Sequence, residues 1–254
     1  MIGHRVEYEK MYAVERELWW YRILHQKALK AIEQSFGSDK TITILDAGCG
    51  TGGLLSFLRE NGYQNAVGFD GSEDAVAFCK ERQLEVELCR FETINAFRSD
   101  NQYDVIICDD VFYCLNESDM GQAMRYFRNH LKPNGLFVTN NNAFNAFYGT
   151  HDVAVGGKRR FVRADIQRLG QQANMRVVYS TYWSMFLSPL ILAVRQWQAL
   201  KLRKGWERPE KIVSDVELPS PFVNKTLFVL VKLEEMIFPQ SPFGSSLFMT
   251  LRPC

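Results

Sequence analysis

Apolar residues along this chain change their spacing several times, and each change predicts a new element. Between Val6 and Ser35 they recur at helical intervals (Tyr12, Leu18, Tyr21, Ile23, Leu24, Leu29, Ile32), which predicts one or two helices ended by Phe36-Gly37-Ser38-Asp39. Thr41 to Asp46 is instead β-branched and apolar, a strand. A Gly-rich turn at 48–53 then feeds a helical pattern from Leu54 to Asn61 that stops at Gly62. The alternation repeats, with strands over 66–70, 86–89, 103–109 and 136–140. Between them lie helices over 73–82 and 120–130, the second closed by Lys132-Pro133-Asn134-Gly135. Strands separated by helices at this rhythm imply an α/β fold, a parallel sheet covered on both faces with right-handed crossovers.

Beyond Asn140 the rhythm breaks. Residues 140–157 are polar and aromatic and predict a long loop, followed by a helix over 163–173 and a strand over 176–183. Two apolar helices are expected at about 184–203 and 222–238, flanking a charged linker with Pro209, Pro219 and Pro221, and a strand over 246–251 comes last. The chain thus divides into an N-terminal helical lid (1–38), an α/β core (39–183), a helical insertion (184–245) and a final strand of the core (246–254). The insertion could roof a pocket, form a dimer contact or touch a membrane surface; a roof is preferred, since the active site of such folds lies beside it.

Composition narrows the function classes. Thirty basic side chains stand against 29 acidic ones, a net charge of +1, so no global field draws in nucleic acid. Six cysteines, at 49, 79, 89, 108, 114 and 254, form no C-x-x-C pair and have no histidine at ligand spacing. Neither a metal site nor a disulfide framework is expected, and a reducing cytoplasmic compartment is. The apolar run from Tyr182 to Leu200 is broken by Ser188-Pro189 and Arg195, too short for the ~20 apolar residues of a membrane span.

The chemistry is written most densely at Ile44-Leu45-Asp46-Ala47-Gly48-Cys49-Gly50-Thr51-Gly52-Gly53. A strand enters a turn whose glycines let backbone approach a ligand, and a helix N-terminus follows. Asp46 puts an anion where a cationic amino-acid ligand would lie. Asp70, ending the next strand, can accept both ribose hydroxyls of an adenosine.

The run ILDAGCGTGG resembles the first motif of class I S-adenosylmethionine-dependent methyltransferases. GFDGSEDAV resembles their second, YDVIICDDVFYCL the strand after the adenine site, and LKPNGLFVTN their fifth-strand signature. The resemblance implies a Rossmann-like, seven-stranded, mostly parallel sheet with helices on both faces, ending in an antiparallel hairpin. By position it places Asp46, Gly48, Cys49, Gly50 and Gly52 around the methionine part of S-adenosyl-L-methionine. Asp70 and Gly71 fall at the ribose, Phe91 and Glu92 at the adenine, and Asp109 at the methyl end. Arg90 stands where the family often has an acidic residue. A nicotinamide-dependent oxidoreductase is the competing reading, because Gly48-x-Gly50-x-x-Gly53 satisfies that fingerprint too; Asp46 favours the sulfonium ligand. A protein that binds the cofactor without methylating is the third.

The expected acceptor is a small molecule with an aromatic or apolar body, methylated on oxygen first and nitrogen second. His151, Tyr113 and Asp110 lie at the carboxyl edge of the sheet and are the catalytic candidates, His151 as base. A surface loop histidine and a helix cap are the plainer readings of His151 and Asp110. Trp19, Trp20 and Tyr21 are adjacent, so they cannot share one helix face and at least one is expected to point towards a substrate cavity or a partner; packing against the sheet edge is the plainer reading. Asn140 and the basic triplet Lys158, Arg159 and Arg160 complete the acceptor candidates, the triplet as a clamp for a carboxylate or phosphate. A homodimer is compatible with the sequence.

Overall fold

The computed structural model describes residues 5–204, 214 and 216–254; the linker around Pro209 and the first four residues lie outside them. The helices are α1 Arg5–Val14, α2 Trp19–Phe36, α3 Gly53–Glu60, α4 Glu73–Glu81, α5 Glu117–His130, α6 Thr150–Ala154, α7 Arg163–Gln172, α8 Ser188–Arg203 and α9 Pro221–Ile237. The strands are β1 Ile44–Ala47, β2 Ala66–Asp70, β3 Val86–Leu88, β4 Tyr103–Ile107, β5 Leu131–Asn142, β6 Met175–Trp183 and β7 Ser246–Pro253. They form one sheet in the order β3-β2-β1-β4-β5-β7-β6. The first five run parallel, and β7 lies antiparallel between β5 and β6.

Side chains alternate across the pleat and build a layer on each face. On β5, Phe137 joins Phe127, Phe112 and Met249 beneath α5, while Leu136 and Val138 join Ile23, Leu58 and Trp183 beneath α2 and α3. Both layers are dry, with Phe137, Val138, Ile23 and Leu58 fully buried.

Three expectations shift. The stretch Lys132–Gly135 does not close a helix; β5 begins at Leu131, which is extended right after α5 and pairs with Tyr103 across an irregular register. The 140–157 loop contains α6, whose first turn is held by the Gly149 N–H donating to the Asp152 carboxylate at 2.9 Å. The helix expected from 184 starts at Ser188, because Ser184 takes a left-handed φ of 63° and Pro189 suits a first turn. Among the described residues no helix is long and apolar enough to cross a membrane.

Candidate active site

The carboxyl ends of β1, β2, β4 and β5 open into a cavity of about 760 Å³, within the roughly 300–1,000 Å³ of small-molecule sites. At its inner end the turn after β1 is pinned by the Gly48 and Cys49 N–H groups donating to the Phe69 carbonyl at 2.8 and 3.0 Å. Gly48 has φ 80°, and a Cβ there would lie 2.6 Å from Val111 Cγ2, so glycine is required twice over. Gly52 is required for another reason. Its φ is 83° and its missing Cβ makes room for Leu84 and Cys79, while it stays off the cavity wall. Asp70 accepts the Gly50 N–H at 3.0 Å and the Ser72 N–H at 2.9 Å, so its carboxylate is oriented by backbone.

Four aspartates converge on this cavity. Burial pushes Asp46 up to about 8, helped by the charges of Asp70 and Glu15. Burial lifts Asp70 to about 6 against the pull of the Ser72 and Gly50 N–H groups. Asp109 is raised well above the carboxylate range by burial and by Asp110 and Asp46. Asp110 rises to about 6 by burial, restrained by the Asn140 amide, His151 and Arg160. Asp110 also sits at φ 52°, a strained backbone for a non-glycine residue. Carboxyls crowded and desolvated in this way favour a cationic ligand, which relieves their mutual repulsion.

The N-terminal helices close one side. Buried Glu15 accepts from the Thr51 hydroxyl, from the Gly53 N–H at 3.1 Å and from the Arg82 guanidinium, which also donates to the Thr51 and Tyr12 carbonyls. The end of α1 is thereby fastened to the Gly-rich turn. Met11 lies over Gly50, with its sulfur 2.9 Å from where a Cβ would stand. Buried Glu7 accepts from the Ser214 N–H at 3.2 Å and from its hydroxyl, which joins α1 to the segment before α9.

At the other end Trp19, Trp20 and Tyr21 all reach the cavity wall, together with His25. Trp20 stacks on Trp183 at 5.6 Å and meets Tyr21 edge-on at 5.1 Å. Burial, with the Arg82 charge, lowers His25 to about 3, so its ring is neutral at ordinary pH. Tyr113, Asp110 and His151 line the same chamber.

Residues 45–137 match the methyltransferase-domain family. The chain is 29% identical over 143 residues to the ubiquinone biosynthesis O-methyltransferase of Rickettsia conorii, covering 54% of this chain and 48% of that protein. It is 27% identical over 177 residues to the malonyl-[acyl-carrier protein] O-methyltransferase of Bacillus cereus, covering 68% of this chain and 58% of that one. The matched stretch thus spans about half the length of the first of these relatives. The solved SAM-dependent methyltransferase of Archaeoglobus fulgidus superposes with a TM-score of 0.57 over 91% of this chain and 93% of that one, at 14% identity. This is the class I S-adenosylmethionine-dependent methyltransferase fold. The Archaeoglobus fulgidus protein is named for its dependence on S-adenosylmethionine.

The residues present fit that methyltransferase cofactor. Asp46, Gly48, Cys49, Gly50, Asp70, Gly71, Phe91, Glu92 and Asp109 all line the cavity; of the cradle expected from sequence, Gly52 alone does not. The acceptor candidates separate further. Asn140 is fully buried behind the wall: it takes the Trp183 indole N–H at 2.9 Å, gives its amide to Asp110 at 2.9 Å and its backbone N–H to Asp109 at 2.6 Å. It therefore holds the aspartate pair from behind and does not meet a ligand directly. The basic triplet does not act as one clamp. Arg159 turns outward to Glu117 at 3.2 Å, and Arg160 is tied to buried Asp152 through Nε at 2.8 Å and Nη2 at 3.0 Å, leaving Lys158 and one flank of Arg160 at the cavity. Glu7, Glu15, His25 and Arg195 were not anticipated. They lie in helical segments whose spacing reads equally well as a solvated face, and only tertiary packing brings them to the wall.

Proposed function

We propose that the protein is an S-adenosylmethionine-dependent methyltransferase that methylates a small molecule with an aromatic or apolar body, on oxygen in preference to nitrogen. One observation carries the reading: a single cavity joins the cofactor cradle at Asp46 and Asp70 to a chamber walled by Trp19, Trp20, Tyr21 and His151. Both curated relatives described above are named as O-methyltransferases, which supports oxygen. The same reading makes 1–38 a lid, 39–183 with 246–254 the cofactor-binding core, and 184–245 a roof.

The bound cofactor supplies an electrophilic methyl group on a sulfonium whose departure needs no protein acid. The chain's part is then positioning and exclusion of water. Trp20, braced by Trp183, and Tyr21 flank the acceptor body. Asp109 and Asp110, fixed by Asn140, face the methyl end. A hydroxyl acceptor must lose its proton as the new C–O bond forms, and His151 takes it, with the Asp110 charge stabilising the resulting imidazolium. Tyr113 orients the acceptor, and Lys158 is the member of the basic triplet assigned to it.

Calorimetric titration with S-adenosylmethionine, S-adenosylhomocysteine and NAD tests the cofactor, and label transfer from methyl-labelled cofactor to a panel of hydroxylated aromatics tests the reaction. We expect micromolar affinity, about −8 kcal/mol, for the two sulfur ligands and none for NAD. His151→Ala should cut turnover on a hydroxyl acceptor by about 10²–10⁴ while cofactor affinity holds. Full turnover in that variant would remove His151 from the mechanism. Tight cofactor binding with no transfer to any acceptor would favour a protein that binds the cofactor without methylating.

A further inference from the structure

His25 stands on α2 one turn beyond Tyr21, so the two side chains leave the same helix face. It is 6% exposed and lines the large cavity. Its ring contacts are aromatic, Phe57 at 5.5 Å and Tyr21 at 6.2 Å between centroids. Among the described residues neither ring nitrogen has a hydrogen-bond partner. His130 is the contrast: its two nitrogens meet the Tyr126 and Ser99 carbonyls at 2.8 and 3.2 Å. A buried polar group left unpaired costs free energy, so the fold normally answers it. Here the fold answers His130 and leaves His25 to whatever fills the cavity.

The state of the ring narrows what can pair with it. Burial, with the Arg82 charge, keeps the imidazole neutral, so one nitrogen donates and the other accepts. A hydroxyl both donates and accepts and can use either nitrogen. A charged substituent would have to shed its water for one hydrogen bond to a neutral partner, which burial penalises. Tyr21 links this contact to the acceptor. Burial raises its phenol, and the charges of Glu15 and Asp110 add to the rise. Tyr21 is thus within reach of the Asp110 charge and in ring contact with His25. An aromatic body lying against Tyr21 can therefore present one substituent to the methyl end and another to the imidazole.

We propose that His25 determines acceptor specificity by hydrogen-bonding an uncharged hydroxyl other than the one that is methylated. The acceptor class is then an aromatic molecule with at least two hydroxyl groups. Its role as acceptor rests on the methyl transfer proposed above, whereas its binding at His25 does not.

Calorimetric titration of the full chain saturated with S-adenosylhomocysteine tests the contact without any reaction. The probes are phenol and the three benzenediols. At least one diol should bind about tenfold tighter than phenol, the gain of one buried hydrogen bond. His25→Phe keeps an aromatic ring against Tyr21 and Phe57 and should bring that ratio to about one. His25→Gln, which keeps a donor and an acceptor, should retain a preference of about threefold. Near-ultraviolet circular dichroism matching the wild type reports that each variant is folded. A wild-type protein that binds no diol tighter than phenol overturns the proposal with no variant needed. So does a preference that survives in His25→Phe, or one lost equally in His25→Phe and His25→Gln, which would assign it to the shape of the ring. A His25-dependent preference without label transfer to any diol would sustain the contact and overturn methyl transfer alone.

Discussion

Asp70 is held by two backbone N–H groups, those of Gly50 and Ser72, and still has lone pairs directed to the cavity it lines. Hydrogen bonds from a charged group are worth about 1.5–3 kcal/mol each. Asp70→Ala should therefore weaken S-adenosylmethionine binding by about 10- to 100-fold in calorimetry, and stranding those two N–H groups should lower the melting temperature by a few degrees. Unchanged affinity would remove Asp70 from the ribose. Its place at the cavity was legible because a strand end beside a Gly-rich turn is a local pattern. Glu15 was not, because among Glu7, Glu9, Glu15 and Glu17 nothing distinguishes a buried carboxylate from a solvated one. The fold does so, by bringing Thr51 and Gly53 to it across more than thirty residues. Arg160 was read with its neighbours for the same reason: a run of three bases does not reveal that one of them is answered by a buried Asp152.

The first two helices wall one side of the cavity, and the end of α1 is fastened there by an ion pair. Removing one partner of a buried pair leaves the other uncompensated and costs about 3–5 kcal/mol. Glu15→Ala should thus destabilise the protein by about that amount, because Arg82 loses its counter-charge while its contacts to the Thr51 and Tyr12 carbonyls remain. It should also release α1 from the Gly-rich turn. Limited proteolysis near residues 14–18 should accelerate in this variant, and full protection would mean that the packing of Tyr8 on Ala75 and Phe78, with the Glu7–Ser214 bonds, holds α1 without the ion pair. At this scale the sequence located every sheet strand, since β-branched runs between helices are distinctive. The ends were harder. Pro133-Asn134-Gly135 has turn composition and lies inside β5, and α6 is a helix of five residues held by one aspartate, too short to show a period.

The molecule as a whole carries a pH signature. Asp46, Asp70, Asp109, Asp110 and Glu15 all hold their protons more tightly when folded than when unfolded. The native state then binds the more protons above the unfolded value near 3.8, and stability falls as pH rises toward about 8, the value for Asp46. His25 acts oppositely, between about 3 and 6.5, so the carboxyl effect is cleanest above that range. The unliganded protein should melt at a lower temperature at about pH 8 than at about pH 6.5. A cationic cofactor favours the ionised carboxyls, so the gain in melting temperature on adding S-adenosylmethionine should be larger at the higher pH. A gain that shrinks instead would show that the carboxyl cluster does not face the cation.

The position of β7 bears on how the chain is made. Synthesis proceeds from the amino towards the carboxyl end, yet the last of the seven strands to be translated is an interior one, paired with β5 on one side and β6 on the other. Until Ser246–Pro253 has left the ribosome, both neighbours keep an unsatisfied edge open to wrong pairing. The β1–β4 half can assemble on the nascent chain before β7 is made, whereas the β5–β7–β6 wall of the sheet must wait for it, and it is that wall that a chaperone would have to guard.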